Sequence, residues 1–235
     1  MYHTKAPTPT MTIDQNLHFD CVNAINTFHV ICLSGYSASI YERYPSLAKK
    51  FLPMNELAIL DALQSIKTPL MDTFVAAFTW MGNIGQLWII LGIVLICIPQ
   101  TRRLGVAVLI AFALGTLITS GIIKPLLMRP RPCDINPHVP LIIDRPFGSS
   151  FPSGHTTSAF ASAFALLFMR HPRAPKALII VVFVLAVFMA FTRLYCYVHY
   201  PTDVLAGILV GLLAAFLSAK IMSIYNTNHP SKETK

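Results

Sequence analysis

Charge is scarce in this sequence: Asp, Glu, Lys and Arg make up 12% of the chain, against roughly a quarter in an average soluble domain. Hydrophobic residues account for 54%, and they fall in uncharged blocks separated by short polar joints rather than in a periodic pattern. That distribution excludes ordinary soluble domains and suits a chain solvated by lipid. Cysteine offers no framework either. Cys21, Cys32, Cys97, Cys133 and Cys196 lack both the paired spacing of a zinc site and a disulfide pattern, so most read as small apolar fillers. A bridge between Cys133 and Cys196, near one face of the predicted spans, is a minor alternative. The net charge of +8 comes without a long basic run or an aromatic platform, which argues against nucleic acid as a partner. Internal repeats and low-complexity tracts are missing, and no standard signal peptide is visible.

What the sequence has instead is membrane-length hydrophobic runs. A spanning helix needs about 20 mostly apolar residues, and Leu104 to Ile123 supplies such a run without a charge. Shorter candidates, each extendable by neutral neighbours, are Gly82 to Pro99, Phe151 to Met169, Ala177 to Thr192 and Thr202 to Ala219, with Cys21 to Ile40 a weaker one. Asn55 to Met81 mixes apolar residues with Glu56, Asp61, Lys67 and Asp72, a pattern of amphipathic helices in the interface, broken at Pro69. The predicted fold is all-α: a polytopic transmembrane helix bundle of about five to six spans, with an amphipathic interfacial helix before the first secure span. The chain divides into an N-terminal extension (residues 1–53) with no assigned function, a membrane domain (54–225) and a polar cytoplasmic tail (226–235). Met54 is an alternative natural start.

Arg102, Arg103, Arg170, Arg173, Lys176 and Lys220 fall at the same ends of these runs, which the positive-inside bias assigns to the cytoplasm. The opposite ends, with a proline-rich loop from Met128 to Ser150, then face outward. Three clusters share that outer face: Lys124 with Arg131 and Pro132; Phe151-Pro152-Ser153-Gly154-His155; and Arg193 with His199 and Asp203. Charges at a membrane edge are costly unless they pair or serve a ligand, so this concentration is a functional signal. Lys124 and Arg131 are seven residues apart, about two helical turns, and would point the same way if helicity persists between them. Lipid-headgroup snorkelling is the plainer explanation for that pair alone. Ser153 and Gly154 open an apolar run, where free backbone donors and the helix dipole favour an anion; simple helix capping is the alternative. His155 and His199 are each readable as polar residues satisfied between helices, yet two histidines among arginines on one face suit proton transfer and nucleophilic attack. Asp203, four residues after His199, is placed to fix that imidazole's tautomer. Two histidines beside three cations make a poor metal site, and an anion is the natural guest.

Together, Lys124-x6-Arg131-Pro132, Pro152-Ser153-Gly154-His155 and Arg193-x5-His199-x3-Asp203 resemble the three signature motifs of the type-2 phosphatidic acid phosphatase (PAP2) superfamily. One departure is Thr192, where the family's third motif usually has serine before its arginine. The resemblance implies a metal-independent hydrolase that needs no cofactor. His199 would attack phosphorus to form a phosphohistidine, Asp203 would orient it, and His155 would protonate the leaving group. Lys124, Arg131, Ser153, the Gly154 amide and Arg193 would hold the phosphate oxygens. In size and layout the chain is similar to undecaprenyl diphosphate phosphatases of the plasma membrane, with the active site on the extracytoplasmic side. The implied partners are the bilayer and a lipid phosphate or diphosphate, with phosphatidylglycerophosphate, phosphatidic acid or a lipid A phosphate as alternative substrates. A non-enzymatic lipid-binding or transport bundle is the alternative from another class.

Overall fold

The computed structural model describes residues 54–169 and 176–228. The expectations for the 1–53 extension, the weak run Cys21 to Ile40, Arg170, Arg173 and the last residues of the tail lie outside the described residues. Among those described, the chain is helical and contains no strand. In chain order the α-helices are α1 (Met54–Gln64), α2 (Pro69–Gly82), α3 (Gln86–Cys97), α4 (Arg102–Thr116), α5 (Lys124–Leu127), α6 (Pro132–Ile135), α7 (Gly154–Phe168), α8 (Lys176–Tyr195) and α9 (Pro201–Asn228), with a π-helical stretch, Leu117–Ile123, continuing α4 into α5.

Among the described residues, three helical runs are long and apolar enough to cross a membrane: Arg102–Ile135, Lys176–Tyr195 and Pro201–Tyr225. The run expected at Gly82 to Pro99 is organised differently. Its helix, α3, has 12 residues, about 18 Å at 1.5 Å per residue and too short to span alone. It qualifies only together with α2, from which it is bent by 57°. Pro69 does separate α1 from α2, and it does so by opening α2 at the first helical position, behind a Thr68 cap. α9 continues through Asn228, into the first residues of the polar stretch 226–235.

The run expected as a span at Phe151 to Met169 holds the 15-residue α7, which is not among the helices long enough to cross alone; it forms the centre of the bundle, packed against α4, α8 and α9. Its sequence explains that position. Thr156 to Ala163 are all buried, and all but Phe160 are Ser, Thr or Ala, so neighbouring backbones approach closely. Gly207 and Gly211 on α9 complete the fit. A Cβ at Gly207 would stand 2.8 Å from the Ser153 carbonyl oxygen, and one at Gly211 2.8 Å from the Ala161 nitrogen. Glycine with three residues between is the close-packing pattern of membrane helices. Outward from this seam, Ile180, Val181, Val184 and Val187 of α8 and Leu205, Leu209 and Phe216 of α9 are exposed, as lipid-facing side chains must be.

The small-residue seam leaves polar side chains to be satisfied within the bundle. Thr157 donates to the Ser153 carbonyl (3.0 Å), Ser162 to the Ser158 carbonyl (2.9 Å), and Ser218 of α9 to the Ala107 carbonyl of α4 (2.7 Å). The aromatic residues Tyr195, Tyr197 and Tyr200, by contrast, form a second buried cluster with Leu60, Val75, Cys133, Cys196 and Val198, which seats α1 and α2 against the α8–α9 turn. α1 is thereby held beside the end of the bundle where the three motifs meet.

Candidate active site

α4 extends through the π-helical stretch, whose wider turn carries Thr119 onto α7: its hydroxyl donates to Thr157 Oγ1 at 3.1 Å. Single π segments recur at functional sites, and this one delivers Lys124 to the site. The helicity expected between Lys124 and Arg131 does not persist. Met128 has φ 42°, a left-handed conformation that ends α5. Pro130 and Pro132 each lack a backbone donor and restrict the residue before them to extended backbone. Arg131, at φ −83° and ψ 157°, is extended accordingly. It therefore reaches the site from a turn, not from the face of a helix.

Arg131 is buried and its guanidinium is fully engaged. Nε donates to the Gly148 carbonyl (3.1 Å), and Nη2 to the carbonyls of Phe147 and Ser149 (both 3.3 Å). Nη1 donates to the Val198 carbonyl (3.0 Å) and to His199 Nε2 (3.3 Å). Arginine only donates, so the His199 Nε2 lone pair faces Arg131 and the imidazole proton sits on Nδ1. That nitrogen lies 3.5 Å from Asp203 Oδ2 and 3.4 Å from Ser150 Oγ. Asp203 Oδ2 also accepts from the Ser150 hydroxyl and from the Tyr200 N–H at 2.9 Å. Burial above all, with Arg131 and Lys124 adding to it, pushes the His199 imidazole down from 6.5 to about 3, although Asp203 pulls the other way. His199 is thus neutral at physiological pH, with its Nε2 lone pair turned to Arg131 Nη1.

The second motif forms the α7 N-terminus. Ser153 Oγ accepts from the Thr156 hydroxyl (3.0 Å) and, at 3.5 Å, from its N–H, which leaves the Ser153 hydroxyl proton to donate elsewhere. The Ser153 N–H donates to the Asp203 carbonyl at 3.0 Å, tying this turn to the start of α9. Gly154 is the first residue of α7, where backbone N–H groups have no partner inside the helix. Next to it, His155 is in electrostatic range of Arg193, His199, Lys124 and Arg131, and its Nε2 is a buried polar atom without a hydrogen-bond partner. Only Trp88 Nε1 and Tyr200 Oη share that condition among the described residues. Native proteins leave few such atoms unpaired. Gly82 admits the histidine to this position, since a Cβ there would lie 3.1 Å from His155 Cδ2 and 2.5 Å from Met189 Cε.

Arg193, on the last turn of α8, is 2% exposed. Its Nε donates to Thr192 Oγ1 at 3.1 Å and its Nη2 to Thr79 Oγ1 on α2, leaving Nη1 without a partner among the described residues. Thr192 therefore does what a serine hydroxyl would do at that place. Lys124 Nζ likewise makes no hydrogen bond or ion pair with a described residue, though it feels Arg131 and Asp203. The result is a set of cationic and N–H donors around two imidazoles. No group of three or more His, Cys, Asp or Glu side chains gathers in a metal-binding arrangement among the described residues. Cys133 and Cys196 are both buried free thiols.

All eight residues singled out in the sequence lie in this one region. Sequence reasoning missed its supports: Ser150 and Arg129, which hold Asp203; Glu56, which holds Arg129; and Thr79, which holds Arg193. Ser150 and Arg129 stand beside the motifs, directly before Phe151-Pro152 and inside Arg129-Pro130-Arg131-Pro132. Glu56 and Thr79 left no local signal.

Residues 104–226 match the family model described as the PAP2 superfamily. An undecaprenyl-diphosphatase from Sulfolobus acidocaldarius is 32% identical over 58% of this chain, a stretch that spans 64% of that protein. A decaprenylphosphoryl-5-phosphoribose phosphatase from Mycobacterium tuberculosis is 32% identical over 68% of this chain and 86% of its own length. The crystal structure of a transmembrane PAP2-type phosphatidylglycerolphosphate phosphatase from Bacillus subtilis superposes with a TM-score of 0.59 at 25% identity, covering 85% of this chain and 98% of that one. With its apolar helices and these relatives, the chain is a multi-pass membrane phosphatase that belongs to the PAP2 superfamily.

Proposed function

We propose that this protein hydrolyses the terminal phosphate of a polyprenyl diphosphate, undecaprenyl diphosphate or a close relative, at the outer face of the plasma membrane. His199 Nε2 attacks the terminal phosphorus and the bond from phosphorus to the bridging oxygen breaks. His155 gives that oxygen its proton, so the lipid leaves as a monophosphate. Water then attacks the phosphohistidine, His155 takes its proton, and free phosphate departs. Lys124, Arg131, Ser153, the Gly154 amide and Arg193 hold the nonbridging oxygens, where the charge of the transition state resides.

The observation that carries this reading is the unpartnered, buried His155 Nε2 within range of His199, Lys124 and Arg193. Gly154 adds support. The nearest atom to a Cβ there is Thr119 Cγ2, 3.9 Å away, so packing in the free protein does not require glycine, whereas backbone approach to a phosphate does. The outward orientation is supported by Arg102, Arg103, Lys176 and Lys220, which lie at the other ends of their helices from the site. The polyprenyl substrate is supported by the two curated relatives, whose names each specify a polyprenyl phosphate. The Bacillus subtilis neighbour favours a second reading, a glycerophospholipid monoester.

The test is phosphate release by the purified protein from undecaprenyl diphosphate, phosphatidylglycerophosphate and phosphatidic acid at equal concentration. The highest kcat/KM should be on the diphosphate, and His199→Ala and His155→Ala should each abolish turnover while inserting and purifying normally. Preference for either glycerophospholipid would replace the substrate, and full activity of His199→Ala would remove the nucleophile.

A further inference from the structure

Arg131 turns into the site, but Arg129, two residues earlier, does not. Its Nη1 donates to Asp203 Oδ1 at 2.6 Å and to Thr202 Oγ1 at 2.7 Å, and its Nη2 donates to Glu56 Oε2 at 3.1 Å. The guanidinium carbon lies 4.1 Å from the centroid of the Tyr200 ring. Thr202 Oγ1 donates to the same Glu56 oxygen at 3.0 Å, closing a ring of polar contacts between α1 and the first turn of α9. The main chain of Arg129 is engaged as well. Its N–H donates to Ser149 Oγ at 3.0 Å and its carbonyl accepts from the Ser150 N–H at 2.8 Å. Both oxygens of Asp203 are therefore addressed from Arg129, Oδ1 directly and Oδ2 through the Ser150 hydroxyl that the Arg129 main chain positions.

We propose that Arg129 is a positioning residue for the reaction, held by Glu56, which fixes the Asp203 carboxylate and shares its charge so that His199 stays an unprotonated nucleophile. The inference rests on the reading of His199 given above. The side chains of Arg129, Glu56 and Asp203 are 16%, 10% and 0% exposed, so these charges meet largely out of water, where a carboxylate with a lost partner is costly. The charged and titratable groups facing the His199–Asp203 pair are Lys124 and Arg131 from the chain after the π-helical stretch, His155 on α7, Tyr200 in the turn before α9, and Arg129 with Glu56 of α1 behind it. Arg129 alone among them bonds Oδ1 of the carboxylate. Without it the full charge of Asp203 acts on His199, the imidazolium is favoured, and the carboxylate loses its fixed direction. A phosphate ligand behaves differently: unlike Arg131, whose Nη1 meets His199 Nε2, Arg129 has both amino groups on Asp203, Thr202 and Glu56 and none on His199, so its loss leaves substrate binding in place.

The experiment uses the full chain in detergent micelles with undecaprenyl diphosphate, following phosphate release across pH for the wild type, Arg129→Met, Arg129→Lys, Glu56→Gln and, as reference, His199→Ala. Arg129→Met should lose about a hundredfold in kcat while KM changes by less than about threefold, as a misaligned catalytic group does. Its acid limb in kcat/KM should move to higher pH, because the protonated, inactive imidazole now forms more readily. Arg129→Lys should recover part of the loss and restore the pH profile, and Glu56→Gln should show a smaller loss of kcat at unchanged KM. A raised KM with wild-type kcat in Arg129→Met overturns the proposal by making Arg129 a phosphate ligand. If Arg129→Met does not purify as a folded protein, Arg129→Lys and Glu56→Gln decide, and wild-type kcat in both overturns it. Absence of release by the wild type, or full activity of His199→Ala, overturns the underlying reading and the proposal together. An inactive His199→Ala beside a wild-type Arg129→Met overturns the proposal alone.

Discussion

Replacing Gly207 by alanine tests whether the α7–α9 seam sets the geometry of the site. The added methyl would lie 2.8 Å from the Ser153 carbonyl oxygen, 3.0 Å from Thr156 Cβ and 3.3 Å from Thr156 Cγ2. The first of these is backbone, which has no rotamer to yield, so the helices must separate by several tenths of an ångström, a displacement inferred from ordinary close-packing. The displaced group is the cap of α7, whose Ser153 N–H bonds the Asp203 carbonyl and whose hydroxyl belongs to the proposed phosphate cradle. Overpacking of this kind costs about 1–3 kcal/mol, and a misplacement of reacting groups approaching 1 Å costs about a hundredfold in rate. Gly121→Ala is the control: its new methyl would meet only Leu117 Cδ1, at 3.2 Å, the end of a flexible and exposed side chain. Thermal unfolding and phosphate-release kinetics in the same detergent should show Gly207→Ala with a lowered Tm and a kcat reduced at least about tenfold, and Gly121→Ala near wild type in both. A Gly207→Ala protein with wild-type Tm and kcat would refute the argument from close approach.

Three further outcomes follow from the site. Because His199 is held near 3, below its ordinary 6.5, the unfolded chain takes up a proton at this position below about pH 6.5 and the folded chain does not until about pH 3. Stability should therefore fall as pH drops from 6.5 towards 4, and His199→Asn should flatten that slope in thermal unfolding measured across pH. Thr79→Val removes the acceptor that Arg193 Nη2 uses and leaves a buried cation one partner short, at a cost of about 1–3 kcal/mol; KM for the lipid diphosphate should rise, and an unchanged KM and Tm would contradict that role. The donor set around the histidines is cationic, so phosphate release should continue in excess chelator, with loss of activity that metal restores as the contrary result.

The all-helical fold was legible because the evidence for it is local: uncharged runs of near-span length, and prolines at Pro69, Pro130, Pro132 and Pro201 that punctuate them. The proposed catalytic set was legible for the same reason. Lys124, Arg131, Ser153, Gly154, His155, Arg193, His199 and Asp203 stand in three short motifs, and charge at the end of an apolar run is conspicuous without any knowledge of the fold. The route of the chain between those motifs was less visible. Continuity of helix from Lys124 to Arg131 is a property of backbone dihedrals, and the left-handed Met128 has none of the glycine or asparagine character that would announce it. The 57° bend between α2 and α3 falls at a break that holds Gly85 at φ 74°, beside the close approach of Gly82 to Met189 and His155, a tertiary contact. Glu56 and Thr79 were beyond reach for a related reason: their partners, Arg129 and Arg193, lie 73 and 114 residues away, and neither has a spacing or charge pattern that singles it out. Burial completes the contrast, because Glu56 reads as one more charge on an amphipathic helix until its partner is known.

The central claim is that His199 becomes phosphorylated during turnover. Rapid acid-free quenching of the wild-type protein after mixing with substrate labelled in the terminal phosphate, followed by peptide mapping, tests it directly. The account predicts a covalent label on the peptide carrying His199, stable in base and lost in acid. It predicts no label in His199→Ala, and little in His155→Ala, which lacks the acid for the step that forms it. A label on another residue, or phosphate release by the wild type with no labelled protein at any time resolved within a turnover, would contradict it.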